Sequence, residues 1–236
     1  KITKDIVVYA LESTTVLAPG TARTITGGFL PPQEGKGQEV GLKTSLLNGR
    51  ISSTFSVFKQ ELTNQSVFAG VDANGVSYAA PIGSTTQKGW DMDISLKLTD
   101  AWQVIGTYFD GEVYDQNNAA VANTYGRSMS LFSRYDFKGG ALDGFAFGGG
   151  FVRISDRKVT SAGIVFPVGQ TAPALITMEP GNWVDLFASY RLNRNWSFRL
   201  ACANVLDEAY AMGAQTAYFV DPSPPRTFTF QTSYKF

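Results

Sequence analysis

The sequence predicts an all-β protein, an antiparallel β-barrel that crosses a membrane with its strands. Three observations lead to this fold class: aromatic and polar residues alternate up to the chain end, the same alternation recurs along the chain, and short connections alternate strictly with long ones. Successive side chains of a strand point to opposite faces. A barrel with lipid outside and water inside needs one apolar and one polar face on every strand.

The final segment, residues 227–236, reads TFTFQTSYKF. Phe228, Phe230, Tyr234 and Phe236 share one face, and polar residues occupy the other. A soluble sandwich can also end in an amphipathic strand. However, a bulky aromatic residue at a free chain end gains nothing in water. Lipid against the aromatic face explains the pattern, so this segment is predicted to be the closing strand of the barrel.

Composition excludes several other classes of protein. The chain has 236 residues, no net charge and a single cysteine, Cys202. No apolar run is long enough for a transmembrane helix, which takes about 18 residues. A nucleic-acid partner would need a basic excess. The sequence contains no histidine, the commonest general base and metal ligand, so we predict neither an enzyme nor a protein-bound metal.

We predict about ten strands from alternation of this kind. In one of them Trp90 and Met92 alternate with Asp91 and Asp93. The phase of segment 102–113 is ambiguous, because Ile105 and other apolar residues fall on the same side as polar ones. The predicted strands span residues 5–13, 38–46, 50–62, 86–98, 102–113, 127–137, 145–155, 182–192, 196–205 and 226–236.

The connections predict the orientation of the barrel. Short turns fall at residues 47–49, 99–101, 138–144 and 193–195, and long segments at 14–37, 63–85, 114–126, 156–181 and 206–225. Outer-membrane barrels have short periplasmic turns and long external loops. If Phe236 lies at the periplasmic end, every connection falls on its expected side. Trp102 and Trp196 follow short turns directly, which places them in a periplasmic aromatic girdle, although core packing would also suit a strand start.

Acidic pairs and glycines along these strands have structural rather than chemical explanations. Asp91 with Asp93, and Asp207 with Glu208, could perform acid–base work, but we expect them to form ion pairs. Residues 148–150 are three glycines inside a predicted strand, without the strand–turn–helix context of a phosphate loop. They predict a close approach or a bend of the chain.

Residues 190–236 include the sequences YRLNRNWSFRLACANVLDEAY and, after a loop, PPRTFTFQTSYKF. These sequences resemble the C-terminal end of TonB-dependent outer-membrane receptors, especially ferric-siderophore receptors. Residues 30–64 and 98–112 resemble strand–turn–strand passages in the middle of the same barrels. The features that match at the end of the chain are Asn204, Asp207, Tyr210, Pro225, Arg226 and Phe236.

The resemblance implies that residues 1–236 are the C-terminal part of a barrel of about 22 strands in the outer membrane of a Gram-negative cell. It implies that this barrel binds a ferric siderophore and imports it in a TonB-dependent manner. TonB would act through a plug domain that is absent from the chain, and the siderophore, rather than a protein cofactor, would hold the iron. Other implied partners are the lipid bilayer and the outer-membrane assembly machinery, which would read Tyr234 and Phe236.

Aromatic residues in the long segments are the predicted contacts to such a chelate, and they would suit a cationic or neutral one. Packing of the loops themselves, or anchoring in the girdle, is the alternative explanation for each of them. The candidates are Phe68, Tyr78, Tyr125, Phe166, Tyr210, Tyr218 and Phe219.

Two other classes of protein fit parts of the pattern. Ten strands could close by themselves into a passive porin-like or adhesin-like barrel, since small even-numbered barrels exist. A soluble β-rich binding domain would also show alternating strands. An open sheet would leave two unpaired edges in hydrocarbon, so the remaining strands must be supplied elsewhere or the ten must close.

Overall fold

The computed structural model describes residues 2–160, 175–216 and 219–236, and most of these residues lie in β-strands. A single 3₁₀ turn, Gly140–Leu142, is the only helical element among them, and none of them forms a helix long and apolar enough to span a membrane. In chain order the strands are β1 (Ile6–Leu17), β2 (Gln33–Leu46), β3 (Ile51–Val71), β4 (Ser77–Lys97), β5 (Trp102–Asp115), β6 (Arg127–Asp136), β7 (Phe145–Ile154), β8 (Arg157–Thr160), β9 (Leu175–Met178), β10 (Gly181–Arg191), β11 (Trp196–Ala203), β12 (Ala211–Thr216), β13 (Phe219–Pro222) and β14 (Thr227–Tyr234).

Ten of the strands form one antiparallel sheet in the order β1-β2-β3-β4-β5-β6-β7-β10-β11-β14. Each of them overlaps one of the ten predicted strands, although β1 to β4 extend further toward the long connections than predicted, and the predicted fold class is confirmed. The pairs β8–β9 and β12–β13 are small separate hairpins inside two of the long connections. Among the described residues β1 pairs only with β2, and β14 only with β11. The sheet is therefore an open portion of a barrel and not the self-closed ten-stranded one.

The register brings the predominantly apolar side of each of the ten strands to one common face of the sheet. Directly opposed residues of an antiparallel pair point to the same side. Leu200 opposes Phe230, and Trp196 opposes Tyr234, so the aromatic stripe of β14 continues across β11. We call this side the apolar face and the other the polar face. One row of the apolar face contains Trp102, Tyr135, Phe147, Ala188, Leu200 and Phe230.

Apolar side chains are exposed on this sheet, which inverts the arrangement of a water-soluble protein. Phe228 and Phe230 of the apolar face are 69% and 67% exposed, whereas Phe58 and Phe187 of the polar face are buried. Large contiguous apolar patches are rarely exposed on soluble monomers. Hydrocarbon against the apolar face removes that cost.

The prediction of a long loop at residues 63–85 is wrong. β3 and β4 extend to Val71 and Ser77, and only a tight turn joins them. Oδ1 of Asp72 accepts the N–H groups of Asn74 at 2.8 Å and Val76 at 2.9 Å, and Gly75 takes the positive φ that the turn needs. Phe68 and Tyr78, predicted in that loop, therefore lie on strands. β8–β9 and β12–β13 likewise shorten the predicted loops 156–181 and 206–225.

The structure settles the ambiguous phase of β5. Ile105 opposes Phe132, and Phe109 stacks on Phe58 with ring centroids 6.1 Å apart, all on the polar face. Apolar residues on both sides of the strand therefore explain the mixed pattern. Gly148 confirms the predicted close approach, because a Cβ there would lie 2.7 Å from the Phe187 ring and 2.5 Å from a main-chain oxygen of β6.

Candidate ligand-binding surfaces

The short turns lie at one end of the sheet and carry the predicted girdle residues. Trp196 contacts Tyr234 with ring centroids 4.7 Å apart, and Tyr234 meets Phe236 edge to face at 5.0 Å. Nε1 of Trp102 donates a hydrogen bond to Ser133 at 2.9 Å. These residues form an aromatic rim at the turn end of the apolar face. Their roles as membrane girdle and assembly signal stay predictions.

At the opposite end, Asn204 joins the two ends of the connection between β11 and β14. Its side chain is buried, and its backbone takes a positive φ of 49°. Nδ2 donates to the carbonyl groups of Glu208 and Pro224, both at 2.9 Å, while the Asn204 N–H donates to Asp185 Oδ1 at 2.8 Å. The main-chain N–H of Asn204 therefore fixes the base of this connection to β10, and its side-chain amide fixes it to the segment that enters β14.

Asp207 and Arg226 make a second link across the same base. The carboxylate accepts the Arg226 N–H at 2.8 Å and its guanidinium Nη2 at 3.2 Å. These hydrogen bonds, the backbone one first, lower the pKa of Asp207 below its ordinary value. The ion pair predicted for Asp207 is confirmed. The ion pairs predicted for Asp91 and Asp93, with Lys97 or with a basic residue of a neighbouring strand, are not found within the described ranges, where Lys97 pairs at the turn with Asp100, 3.8 Å away.

The two external hairpins contact each other through a buried arginine. Arg157 of β8 is 6% exposed and donates through its guanidinium to the carbonyl groups of Ala211 and Met212 in β12. Nearby, Tyr210 stacks on Trp183 with ring centroids 5.2 Å apart, and burial raises the pKa of the Tyr210 hydroxyl. Tyr210 therefore packs against the wall. The sequence contained no signal for Arg157, since a lone arginine in a loop has no distinguishing pattern.

The other predicted ligand contacts are spread over this end of the sheet. Phe68 on β3 is 68% exposed, and Tyr78 on β4 is half-buried beside Gly70. Tyr125 is exposed and meets Phe109 edge to face, with ring centroids 6.2 Å apart. No two of the candidates with described side chains stack on each other. Phe166 and Tyr218 lie outside the described residues, as does the side chain of Phe219.

The polar face carries a cationic cavity of about 510 Å³ near the turn end. Arg134, Arg191 and Arg199 line it. Arg134 is neutralised by Asp136, 2.7 Å away, while Arg199 lies 3.9 Å above the ring of Phe187. Within the described part of the chain Arg191 and Arg199 form no ion pair. This wall can therefore attract carboxylate or phosphate groups.

A second cavity, of about 530 Å³, lies at the loop end under residues 116–126. The loop is held to β5 by the Val121 N–H bond to the Val113 carbonyl at 3.1 Å. Oδ1 of Asp115 accepts two backbone N–H groups at the start of the loop, which lowers the pKa of this carboxyl group. The lining mixes charges and rings, and includes Lys88, Glu112, Tyr114, Tyr125, Arg127, Asp156 and Lys158.

The described residues contain no group of three or more acidic, cysteine or histidine side chains that could hold a metal ion. The candidate binding surface is therefore the polar face of the sheet together with the hydrogen-bonded long connections at one end of it.

An open antiparallel sheet with an exposed apolar face, short turns at one end and long connections at the other defines part of an outer-membrane β-barrel. The family model described as TonB dependent receptor-like, beta-barrel matches residues 1–205. The chain therefore belongs to this family, and its outer-membrane location follows from the family and the fold.

Curated relatives share sequence with most of the chain. The metal-pseudopaline receptor CntO of Pseudomonas aeruginosa is 30% identical over 217 residues, covering 89% of this chain and 29% of its own length. The catecholate siderophore receptor Fiu of Escherichia coli K12 is 28% identical, covering 87% of this chain and 26% of its own length. The chain thus spans less than a third of these relatives.

Solved structures share the fold over the whole chain. The ferripyoverdine receptor of the outer membrane of Pseudomonas aeruginosa, bound to ferripyoverdine, superposes with a TM-score of 0.84 at 24% identity, covering 99% of this chain and 31% of that one. The closed form of Fiu from Escherichia coli K12 gives a TM-score of 0.77 at 25% identity, covering 100% of this chain and 34% of that one. These neighbours are much larger barrels, which agrees with the open edges of the sheet.

Proposed function

We propose that this chain forms part of the barrel wall of an outer-membrane receptor that binds a ferric siderophore and imports it in a TonB-dependent manner. One observation carries the proposal: a family match over residues 1–205 falls on a sheet with an outward apolar face and structured external connections. The names of the relatives, which are receptors for siderophores and a metal–pseudopaline complex, supply the ligand class.

The chain would supply a rigid wall and part of the ligand-binding surface. The hydrogen-bonded bases of the connections hold the external hairpins in place. Phe68 and Tyr125 are exposed aromatic residues at that end and can contact apolar parts of a chelate. Further along the polar face, Arg191 and Arg199 can contact its anionic groups during passage.

Iron would travel inside its chelate, so the wall needs no metal ligands of its own. The energy for release would come from TonB acting through a plug domain outside this chain. Neither step asks for catalysis from the residues described above, so we propose a transporter and not an enzyme.

Transport assays on the whole receptor test this proposal. Deletion of its gene should abolish high-affinity binding and uptake of one member of a panel of radioactive ferric siderophores, and loss of TonB should abolish uptake while leaving surface binding intact. Uptake that continues without TonB would support a passive pore, and binding of none of the chelates would contradict the ligand class.

The aromatic contacts can be tested separately in the same assay. Phe68→Ala and Tyr125→Ala should each weaken chelate binding by roughly tenfold or less, because a single exposed ring contributes about 1 kcal/mol. Tyr210→Phe provides the matched control, since it keeps the stacked ring on Trp183 and should bind normally. A larger loss in the control would mean that Tyr210 contacts the ligand directly.

A further inference from the structure

The hairpin β8–β9 is not part of the ten-stranded sheet and depends on other contacts for its position. Each of its strands has four residues, and a two-stranded hairpin of this size is marginally stable alone. Arg157 and Val159 share one side of β8, and both are buried. β8 lies against β12, and the Arg157 side chain reaches that strand from this buried side.

The guanidinium of Arg157 joins β8 to two consecutive carbonyl groups of β12. One terminal nitrogen donates to Ala211 and the other to Met212. Within the described residues this buried charge lies in no ion pair, so neutral carbonyl groups are its partners. The planar fork of an arginine can hold two acceptors in one fixed geometry, which the ammonium group of a lysine does not do. We call these two hydrogen bonds the Arg157 link.

The residues that the Arg157 link holds are themselves anchored to the sheet. Ala211 follows Tyr210, whose ring stacks on Trp183 of β10 with ring centroids 5.2 Å apart and ring planes 7° apart. The Tyr210 N–H donates to the Ser223 hydroxyl at 3.1 Å, which ties together the two ends of the segment that contains β12 and β13. The connection between β11 and β14 therefore has a fixed position on the wall, and the Arg157 link extends this anchoring to β8.

The free edge of β8 holds the connection between β5 and β6. Tyr125 pairs antiparallel with Arg157, and the Asn123 N–H donates to the Lys158 carbonyl. The side chain of Tyr125 is exposed and has an edge-to-face contact with Phe109. Its position therefore depends on where β8 lies, and through the Arg157 link on the connection between β11 and β14.

We propose that Arg157 is a positioning residue of the ligand-binding surface, which acts on Tyr125 through β8. This role rests on the proposed function, because Tyr125 is one of the aromatic residues expected to contact the chelate. Arg157 is buried under β12, so it acts through Tyr125 and not by contact with the chelate. Three connections that are separate in sequence thereby keep one relative position.

Spin-label distances in the intact receptor test the coupling without any ligand. Labels at Asn117→Cys and Val220→Cys, both exposed positions, report the separation of the two connections in a Cys202→Ala background. Arg157→Gln should broaden the distance distribution, because β8 loses its link to β12. Arg157→Lys should broaden it too, since the charge is kept but the two carbonyl groups are no longer bridged. Arg153→Gln, at an exposed arginine of β7, is the control and should leave the distribution unchanged.

Binding of the ferric siderophore that the uptake panel identifies tests the positioning role. Tyr125→Ala should weaken binding by roughly tenfold or less in the wild-type background, but by less than about twofold in the Arg157→Gln background, because the ring is already displaced there. Phe68→Ala is the matched control. It removes a ring from β3, which is four strands away from β7 in the sheet, and should weaken binding by the same factor in both backgrounds.

A wild-type distance distribution in Arg157→Gln or Arg157→Lys would overturn the coupling, as would broadening in Arg153→Gln. An equal loss from Tyr125→Ala in both backgrounds would overturn the positioning role, and so would disappearance of the Phe68→Ala effect in Arg157→Gln. Every variant should migrate on a gel as the folded barrel when it is not heated. A wild-type receptor that binds none of the chelates would contradict the proposed function, whereas the spin-label distances decide the coupling independently.

Discussion

The polar face leaves no room for a side chain at Gly148. A Cβ there would press on the ring of Phe187, which is itself held between Phe132, at 5.9 Å between ring centroids, and the guanidinium of Arg199. The cross-strand glycine thus lets an aromatic ring lie flat on the sheet. The close approach was predictable from a glycine run inside a strand, but the identity of the ring was not.

Gly148→Ala should therefore destabilise the barrel by about 1–3 kcal/mol, the usual cost of overpacking. Gly150→Ala is the matched control on the same strand and face, because the nearest atoms to its Cβ would be 3.8 Å away. Unfolding of the intact receptor in urea, monitored by its gel mobility, gives the free energy of unfolding of each variant for comparison. Equal destabilisation by both variants would show that strand propensity and not the ring is responsible.

The lowered pKa of Asp207 gives the external connection a defined acid sensitivity. Because the folded-state pKa lies below the ordinary value of 3.8, the stabilisation is complete above about pH 4 and is lost as the pH falls through the lowered pKa. Limited proteolysis should therefore cut the segment between β11 and β14 faster at about pH 3 than at about pH 6.

Asp207→Asn should remove most of that pH dependence, since an amide oxygen can still accept the Arg226 N–H but does not titrate in this range. Glu208→Gln is the control, because Glu208 enters the network through its main chain. A wild-type pH profile in the Asp207 variant would assign the acid sensitivity to another group.

At the scale of elements, period-two alternation identified the ten strands of the sheet because lipid and lumen impose opposite polarities on their two faces. The extensions of β3 and β4 beyond the bilayer were missed for the same physical reason. Water contacts both faces there, so the pattern around Gln65 and Phe68 loses its alternation and resembles a loop. The short strands β8 and β12 were missed because hairpins of this size carry almost no periodic signal.

A charged residue is expected to destabilise the barrel on one face of β14 but not on the other. Phe230→Arg should cost about 2–4 kcal/mol of folding free energy if the position lies near the middle of the bilayer. Thr229→Arg should cost little, because Thr229 opposes Ala201 on the polar face. Equilibrium folding of the intact receptor into lipid vesicles compares the two variants. A larger cost at Thr229 would reverse the face assignment.

At the scale of the whole molecule, the sheet ends in two unpaired edges among the described residues, β1 and β14. Main-chain N–H and C=O groups at such edges need partners in hydrocarbon. Further strands must therefore pair with these edges. The chain covers less than a third of its relatives' length, so the rest of such a receptor can supply them. Strand number in the complete barrel could not be predicted from alternation here; it rested on the resemblance alone.

Assembly of the barrel is predicted to depend on the chain end. Phe236 is fully exposed at the aromatic rim and, among the described aromatic residues, contacts only Tyr234, edge to face, so it contributes little to packing. Deletion of Phe236 should nevertheless lower the amount of receptor at the cell surface severalfold, because the assembly machinery would read this residue. Surface labelling measures the effect, with Leu47→Ala at an exposed turn as control. Unchanged surface levels in the deletion would refute the signal.

The amide of Asn204 has a further consequence for how such a wall can vary. By bonding to Glu208 and Pro224 it shortens the effective loop between β11 and β14 to a few residues, although about twenty lie between the strands. The register between β11 and β14 then does not depend on the sequence of the hairpin between them. Beyond Tyr210, Ala211 and Met212, which contact Trp183 and Arg157, this connection can change in length or sequence without refolding the barrel that supports it.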